Sequence, residues 1–570
     1  MRLNSAWSLV AGWVAGMSVT AASPAMADGQ AALRAFWADA FHIGFKTSTQ
    51  INDMVARAAS GNYNAIIAEV LAYHDTGAGG HGAYWNSSIV PKAADVSGSF
   101  DPLAYLVTQA HAAGIEVHAW IVPYRVSTSW PPAGNGLLAA HPEWLMVPLA
   151  DMGGGPAPID GKYTLDPGSP DVQEYIVSIV HELVANYAID GVNFDYIRYT
   201  QVDAGYPADE SYPKSTLARF RDLTWYQGTP PPEGNTSWNN FRRRTIDELV
   251  RRCRAEIPSI TSNPRQPVRL TADLICSGNA PSDFADSDAY RLHQNWRCWM
   301  ERGWLDAGIP MNYKRQWLPP QDQWYRNWVD AAIGWRYARQ MFCGQANYLN
   351  AMADSIAQLE YCLNAGADGT SNYSYYATAD ENRDGDWEND WTWYTCVSEQ
   401  LFTTPAEVPD MPWRDPGRAT EGTLWGRVAD PATDLPIDGA QVRVGALAPV
   451  ETDGNGYYVV TLIPASPGGT AYDVTANKYG CPGAHLGGVV VLPGTVVRQD
   501  IELCDSQPVG DMNADGVIDW SDVPQFLFCL GGPDHVYSEG YFCLRGDDDA
   551  DRDVDLADFA AFQRLFFGGQ

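Results

Sequence analysis

From residue 31 to about 403 the chain alternates short apolar runs with longer stretches whose apolar residues recur every three or four positions. Arg34 to Ala40, Asn64 to Leu71, Glu116 to Val122, Gly191 to Ile197, Arg269 to Ile275, Gly308 to Tyr313, Gln340 to Ala346 and Gly369 to Tyr375 read as strands. Eight such units, each followed by a helical stretch, predict a (β/α)8 barrel. Ahead of the fourth strand, Val172, Ile176, Ile179, Val180, Leu183, Val184 and Tyr187 fall on one helical face behind Ser169-Pro170, which serve as cap and first turn. A helix from Pro102 to Ala113 should stop at Gly114. The long polar segments after strands two, four and six are the expected active-site loops.

Beyond residue 403 the period changes. Pro405, Pro409, Pro412 and Pro416 mark residues 404–421 as a linker. Residues 422–504 hold short alternating runs (Gly426-Arg427-Val428, Ala440 to Val444, Tyr457 to Val460, Tyr472-Asp473-Val474, Val489 to Val491) with turns such as Asp453-Gly454-Asn455-Gly456 between them. That pattern predicts a small β-sandwich. The C-terminal part, 508–568, is acidic and repeats itself.

Composition and charge exclude some functions. Residues 1–27 carry an early Arg2, an apolar run from Ala6 to Ala22 and Ala25-Met26-Ala27, the pattern of a signal peptide. No later run is long and apolar enough to span a bilayer. The mature chain is therefore expected to be secreted or held at the cell surface, with the periplasm as the other compartment the signal permits. A net charge of −32 argues against nucleic acid or an anionic membrane as partner. Ten Cys, none in a Cys-x-x-Cys pair, fit disulfides in an exported protein. Cys481 with Cys504 and Cys529 with Cys543 are the expected bridges; pairing among Cys253, Cys276, Cys298, Cys343, Cys362 and Cys396 stays open.

Two spacings carry chemistry. In the fourth strand Val192 and Phe194 face one way while Asn193 and Asp195 face the other, which puts a carboxylate at the strand's C-terminal, inner rim. A buried structural acid satisfied by Arg198 is the alternative. In the C-terminal repeats, Asp511, Asn513, Asp515, Asp519 and Asp522 stand at positions 1, 3, 5, 9 and 12 of a calcium loop, with Gly516 at the turn and the Val517 carbonyl at position 7. Asp547, Asp549, Asp551, Asp555 and Asp558 repeat the spacing, with Asp553 at the carbonyl position and Arg552 in place of the turn Gly. Each loop precedes a short amphipathic helix, so Ca2+ is the expected structural cofactor and none is expected for catalysis.

The pair of loops resembles a dockerin type I module, which implies a cohesin or other cell-surface partner. The sandwich resembles the carboxypeptidase regulatory-like domain. The barrel carries, in order, Phe100-Asp101-Pro102-Leu103-Ala104-Tyr105, Ala110-His111, Gly114 to Trp120, Pro123-Tyr124-Arg125-Val126, His141-Pro142-Glu143-Trp144, Leu165-Asp166-Pro167-Gly168 and Asp190 to Tyr199. These resemble the glycosyl hydrolase-like 10 family, which implies a TIM-barrel glycoside hydrolase acting on bacterial wall glycan or another polysaccharide. Asp195 falls on that family's acidic fourth-strand position. Val122, Leu71 and Thr200 depart from the family pattern at positions that concern substrate contacts.

Glycoside hydrolysis usually takes two carboxylates. Asp273, on the Thr271-Asp273-Ile275 face of strand five, is the first partner for Asp195; Glu69 and Asp75 follow. His118, Trp120, Tyr124, Arg198, Tyr199, Asn312 and Tyr313 are the candidate sugar contacts. Trp317, Trp324, Trp328 and Trp335 read chiefly as packing, and Arg242-Arg243-Arg244 with Arg251-Arg252 as the polar face of a helix. Two functions remain: a secreted glycosidase, or a catalytically silent carbohydrate-binding or surface-assembly protein.

Overall fold

A computed structural model describes residues 31–568 apart from 78, 432, 479–480, 482, 504–509, 514–516, 533–534, 538–541 and 549–550. The expected signal peptide, 1–27, lies outside the described residues. Eight parallel strands close a barrel: β1 (Leu33–Ala38), β2 (Ala65–Leu71), β3 (Glu116–Ile121), β4 (Gly191–Phe194), β5 (Arg269–Ile275), β6 (Ala307–Met311), β7 (Gln340–Ala346) and β8 (Gly369–Tyr373). Neighbours in sequence are neighbours in space, and β1 pairs with β8. Each strand is followed by a helix: α1 (Ser48–Ser60), α2 (Pro102–Ala112), α3 (Pro170–Asn186), α4 (Thr236–Ser259), α5 (Trp296–Glu301), α6 (Gln321–Gly334), α7 (Met352–Asn364) and α8 (Trp393–Gln400).

Strand periodicity sorts the side chains into two cores. Leu33, Ala35, Trp37, Ile67, Trp120, Ile309 and Phe342 fill the barrel. Phe36, Ile66, Val117, Val192, Phe194 and Leu270 point outward into the layer shared with the helices. Local signals work as expected at α2, where Asp101 accepts from Ala104 N at 3.0 Å and Gly114 takes φ +73° past the end. Ser169 precedes α3 but its side chain makes no capping bond. Strand β4 ends at Phe194, not Ile197, because Tyr196 adopts a left-handed φ of 48° and turns the chain out of the sheet.

The loops after β2 (72–101) and β4 (from 195) are long as expected, whereas that after β6 (312–320) is short. The longest, 122–169, follows β3 and not an even-numbered strand. Arg125–Ser127, Leu145–Val147 and Tyr163–Leu165 from it join Tyr206–Pro207 in a four-stranded sheet above the mouth. The six Cys of the barrel region are all free thiols. Cys253, Cys276, Cys298, Cys343, Cys362 and Cys396 sit on or beside six different strands and helices, where most pack as small apolar residues. Cys529–Cys543 is a disulfide with a Cα–Cα distance of 5.2 Å. Cys481 is disulfide-bonded, and its expected partner Cys504 lies outside the described residues.

After the barrel, two four-stranded sheets enclose Leu424, Val428, Val442, Val444, Tyr458, Val460 and Val474. One sheet is built on Glu421–Ala429 and Tyr457–Pro464, the other on Gln441–Val444 and Thr470–Asn477. This unit rests on α4, which changes the reading of that helix's arginines. Arg242, Arg251 and Arg252 are buried, not solvated. Arg219 places its guanidinium between Glu248 at 3.0 Å and Asp438 of the sandwich at 2.7 Å. Arg252 stacks 4.1 Å over Tyr457, and Trp425 and Val459 pack on Ala255. The Pro-rich stretch is anchored as well: Trp413 Nε1 and the Arg414 guanidinium both bind Asp306 at the floor of β6, at 2.7 and 2.8 Å.

Removing one member of a buried ion pair leaves the other uncompensated, a cost of about 3–5 kcal/mol. Arg219→Ala should therefore lower the unfolding free energy of the full chain, read from denaturant titration, by an amount in that range. An exposed control, Arg291→Ala, should change it by less than about 0.5 kcal/mol.

Candidate active site

Four strands deliver carboxyls to one end of the barrel. Register pairs Phe194 with Ala272, so Asp195 and Asp273 come next on adjacent strands and on the same inner face. Glu69 comes from β2, two strands from β4, and Asp39 directly follows β1. All four are buried, between 1% and 5% exposed.

A hydrogen-bonded chain holds Asp273. Trp37 Nε1 donates to Oδ1 at 3.1 Å and Asn193 Nδ2 to Oδ2 at 2.9 Å, while Thr271 Oγ1 donates to Asn193 Oδ1 at 2.7 Å. Burial and then the charge of Asp195 hold the Asp273 carboxyl well above the usual carboxylate range, outweighing the two donors. Glu69 accepts from Ala40 N at 2.8 Å, and burial, helped by the charges of Asp39 and Asp195, raises it in the same way. Asp195 is also raised by burial, but the Arg198 and Arg125 guanidiniums and the Tyr196 N–H at 2.6 Å oppose the shift. Asp195 thus ionises first, and its charge keeps a proton on its neighbours.

Aromatic rings line the same mouth. Tyr313 lies edge-on to Trp37 at 6.3 Å and to Tyr348 at 6.0 Å, with Tyr373 5.9 Å away. Trp120 meets Tyr373 at 6.5 Å, and its buried indole N–H has no protein partner. Tyr196 is sandwiched by cations, with Arg125 at 3.3 Å and Arg198 at 4.6 Å from its ring. One ionised and two protonated carboxyls beside stacking surfaces can supply a nucleophile or base, an acid, and a binding platform together.

Several expected contacts lie elsewhere. Asp75 is bound to Ser127 Oγ and His81 Nδ1, each at 2.6 Å, and ties loops together outside the mouth. His118 sits one layer below Trp120 and bonds Glu116 at 3.0 Å, as barrel filling. Tyr124 and Tyr199 point outward into the helix-facing core, where Tyr199 meets Thr245 Oγ1 at 3.1 Å. Asn312 gives its amide to the Tyr325 carbonyl at 2.8 Å. Tyr313 and Arg198 remain at the mouth. Of the tryptophans, Trp328 and Trp335 pack with Trp296, as anticipated. Sequence reasoning missed Asp39, whose buried Oδ2 has no partner, together with Trp37, Arg125, Tyr196, Tyr348 and Lys314. Trp37-Ala38-Asp39 has the two-residue spacing that would have placed both on the inner face.

The C-terminal repeats close on themselves in the same way twice. Asp522 accepts from Asn513 N at 3.0 Å and Asp519 N at 2.8 Å. Asp558 accepts from Asp548 N at 2.7 Å and Asp555 N at 2.8 Å. Asp511, with Asp522, is buried in the first loop. Carboxylate oxygens of Asp553, Asp555 and Asp558 lie within 4.8 Å of one another, so Asp553 offers its side chain there. Arg552 takes φ +75°, the turn conformation its Gly counterpart would adopt without strain, and its N–H reaches Asp547 at 2.9 Å. Asp551 accepts from Asp553 N at 3.1 Å and Val517 is exposed; Asp515, Gly516 and Asp549 lie outside the described residues.

The chain is similar to the glycosyl hydrolase DigH of Escherichia coli (strain K12), at 30% identity over 245 residues that cover 40% of this chain and 52% of DigH. It therefore spans about half the length of that relative. The glycosyl hydrolase YngK of Bacillus subtilis (strain 168) is 22% identical over 384 residues, covering 62% of this chain and 66% of YngK. Among solved structures, an alpha-L-fucosidase isoenzyme from Paenibacillus thiaminolyticus aligns at 14% identity and a TM-score of 0.41, over 65% of this chain and 49% of that one. The family model for Glycosyl hydrolase-like 10 matches residues 32–358, which takes in the barrel through most of α7 and every carboxyl at its mouth, and this chain belongs to that family.

Proposed function

We propose that the chain is a glycoside hydrolase that cleaves O-glycosidic bonds of a polysaccharide, bacterial wall glycan being one substrate class. What carries this reading is the unequal pair Asp195 and Asp273, in register on adjacent strands with the charge on one and the proton on the other. Adjacent strands run about 4.8 Å apart, close to the ~5–5.5 Å carboxyl separation of retaining glycosidases. Asp195 attacks the anomeric carbon as Asp273 gives its proton to the departing oxygen. Asp273 then takes a proton from the water that releases the sugar from Asp195, so both groups return to their starting states. Trp120, Tyr313 and Tyr373 stack the flanking sugars.

The accessory parts fit an exported enzyme. The sandwich acts as a carboxypeptidase regulatory-like spacer fixed to α4. The C-terminal repeats form a dockerin-like module that takes Ca2+ on Asp511, Asn513, Asp519 and Asp522, and on Asp547, Asp551, Asp553, Asp555 and Asp558. Hard carboxylate oxygens closing on one point in a turn-rich loop are the donor set that ion requires. A cohesin or another cell-surface protein is the partner such a module would dock. No helix among the described residues is long and apolar enough to cross a membrane.

Release of reducing ends from wall glycan and from plant and algal polysaccharides tests the enzyme. Asp195→Asn should lose at least about 10³-fold in kcat/KM, and Asp273→Asn about 10²–10⁴-fold, both with an unchanged circular dichroism spectrum. Product release that survives Asp195→Asn sinks the assignment. Glu69→Gln costing more than Asp273→Asn, with inverted product, would move the acid to Glu69.

Activity should trace a bell against pH. It falls on the acid side as the raised Asp195 takes up a proton, and on the alkaline side as Asp273 loses the one it holds. Both pKa values are raised, so the bell should sit above the range of a free Asp pair, and Asp273→Asn should remove the alkaline limb from the residual rate.

Calcium should stabilise the C-terminal module by about 2.7 kcal/mol when present at a hundred times its dissociation constant. Calorimetry with and without EDTA should show that shift in one transition only, and Asp558→Ala with Asp522→Ala should abolish it.

A further inference from the structure

Beside the carboxyls, between the ends of β4, β5 and β6, lies a cavity of about 380 Å³. Arg198, Ser277, Tyr313, Lys314, Gln321 and Trp324 are among the residues that line it. Two cations face this space, and no Asp or Glu is among the lining residues. In a chain of net charge −32 that is a local reversal of sign.

Neither cation is neutralised by a direct ion pair among the described residues, although Arg198 also lies in the field of Asp195. Lys314 is buried, at 5% exposure, and its ammonium has one recorded acceptor, the Cys276 carbonyl at 2.7 Å. Among the described residues it forms no ion pair. Arg198 forms none either; its Nε is buried without a partner and its plane rests on the Tyr196 ring. Burial pulls both groups below their ordinary values, a cost that a bound anion would relieve. Tyr313 joins the cavity to the mouth, since its hydroxyl lies in the fields of Asp273 and Asp195. Ile275 in the cavity wall is two residues beyond Asp273 on the same strand. Trp324 adds an indole to the rim.

We propose that this cavity is a subsite for an anionic sugar, in which Lys314 and Arg198 bind the charged group and Trp324 and Tyr313 bind the ring. Resting on the glycosidase reading above, this names the substrate class: a polysaccharide carrying carboxylate or sulfate next to the scissile bond. The overall negative charge does not oppose it, because exposed charges beyond about 8 Å are screened at physiological salt. Buried Lys314 and half-buried Arg198 at contact distance are screened far less.

Calorimetric titration of the full chain with charged and neutral oligosaccharide pairs tests the subsite. The pairs are oligogalacturonate against its carboxyl-reduced form and oligo-carrageenan against its desulfated form. One charge-assisted contact gives about tenfold in affinity. The charged member of at least one pair should bind about tenfold tighter or more, and the pair that does so identifies carboxylate or sulfate. Lys314→Met, checked for an unchanged melting temperature, should reduce that preference to less than about threefold and leave the neutral member within about twofold, and Arg198→Gln should lower the preference as well. Equal affinity within both pairs, no binding by any member, or equal loss for both members of a pair overturns the subsite. Hydrolysis of neutral glycans without charge preference would refute the subsite and keep the glycosidase. Lysine-dependent binding with no hydrolysis of any glycan would do the reverse.

Discussion

Four carboxyls buried at the mouth of one closed barrel are the constraint around which this structure is arranged. A barrel has no edge and little room, so inward side chains from adjacent strands are forced into contact. Glu69, Asp195 and Asp273 cannot all ionise there, because burial penalises each of them and the Asp195 charge raises both Glu69 and Asp273. The protein resolves this by placing its cationic compensation on one side. Arg125 and Arg198 bracket Tyr196 next to Asp195, whereas Asp273 is given neutral donors from Trp37 and Asn193. The result is an ordered titration, which acid/base chemistry needs and a set of equivalent acids lacks.

The opposite end of the molecule shows the same elements used for stability. At the barrel floor Asp306 meets Arg254 and Arg414, and Asp190 meets Arg265 and His111. On the outer wall Arg219 satisfies Glu248 and Asp438 together. In these places guanidiniums answer carboxylates directly, and the pairs fix the Pro-rich segment and the sandwich against the barrel. At the mouth Glu69, Asp195 and Asp273 have no direct ion pair among the described residues, while Asp39 pairs with His42 at 2.7 Å. This asymmetry is what a functional site looks like when set against structural ion pairs in the same chain.

The eight barrel strands and the two sheets of the sandwich were legible because each rests on local periodicity and on turn residues. Asp195 and Asp273 were legible for the same reason, since period two fixes a face and a strand end fixes a rim. Tyr124 and Tyr199 were misplaced where the strand stops. Beyond Phe194 the left-handed Tyr196 breaks the alternation, so counting by two put Tyr199 on the wrong side. Arg251 and Arg252 of α4 looked solvated because nothing in a helical wheel reports what a domain two hundred residues away will bring to it. The barrel cysteines were read from compartment and not from position, and position left all six as thiols. Lys314 carries no local signal, and the spacing that turns Asp39 inward does not say which carboxyls it meets; each acquires its role only when barrel closure sets it beside its neighbours.

Tyr196 explains how Asp195 can be both compensated and reactive. A left-handed backbone at a bulky residue costs on the order of 1 kcal/mol or more, so the turn must be held by its surroundings. Here Arg125 and Arg198 stack on the ring and thereby sit beside Asp195 without forming an ion pair with it. Their fields lower the Asp195 carboxyl toward ionisation, while its only recorded hydrogen bond is to the Tyr196 N–H. A bidentate guanidinium would have stabilised the carboxylate more and occupied both its oxygens. Through-space compensation leaves one carboxylate oxygen uncommitted, as the proposed attack on an anomeric carbon would require, and it leaves Arg198 facing the adjacent cavity, where the proposed anionic sugar would complete the charge balance.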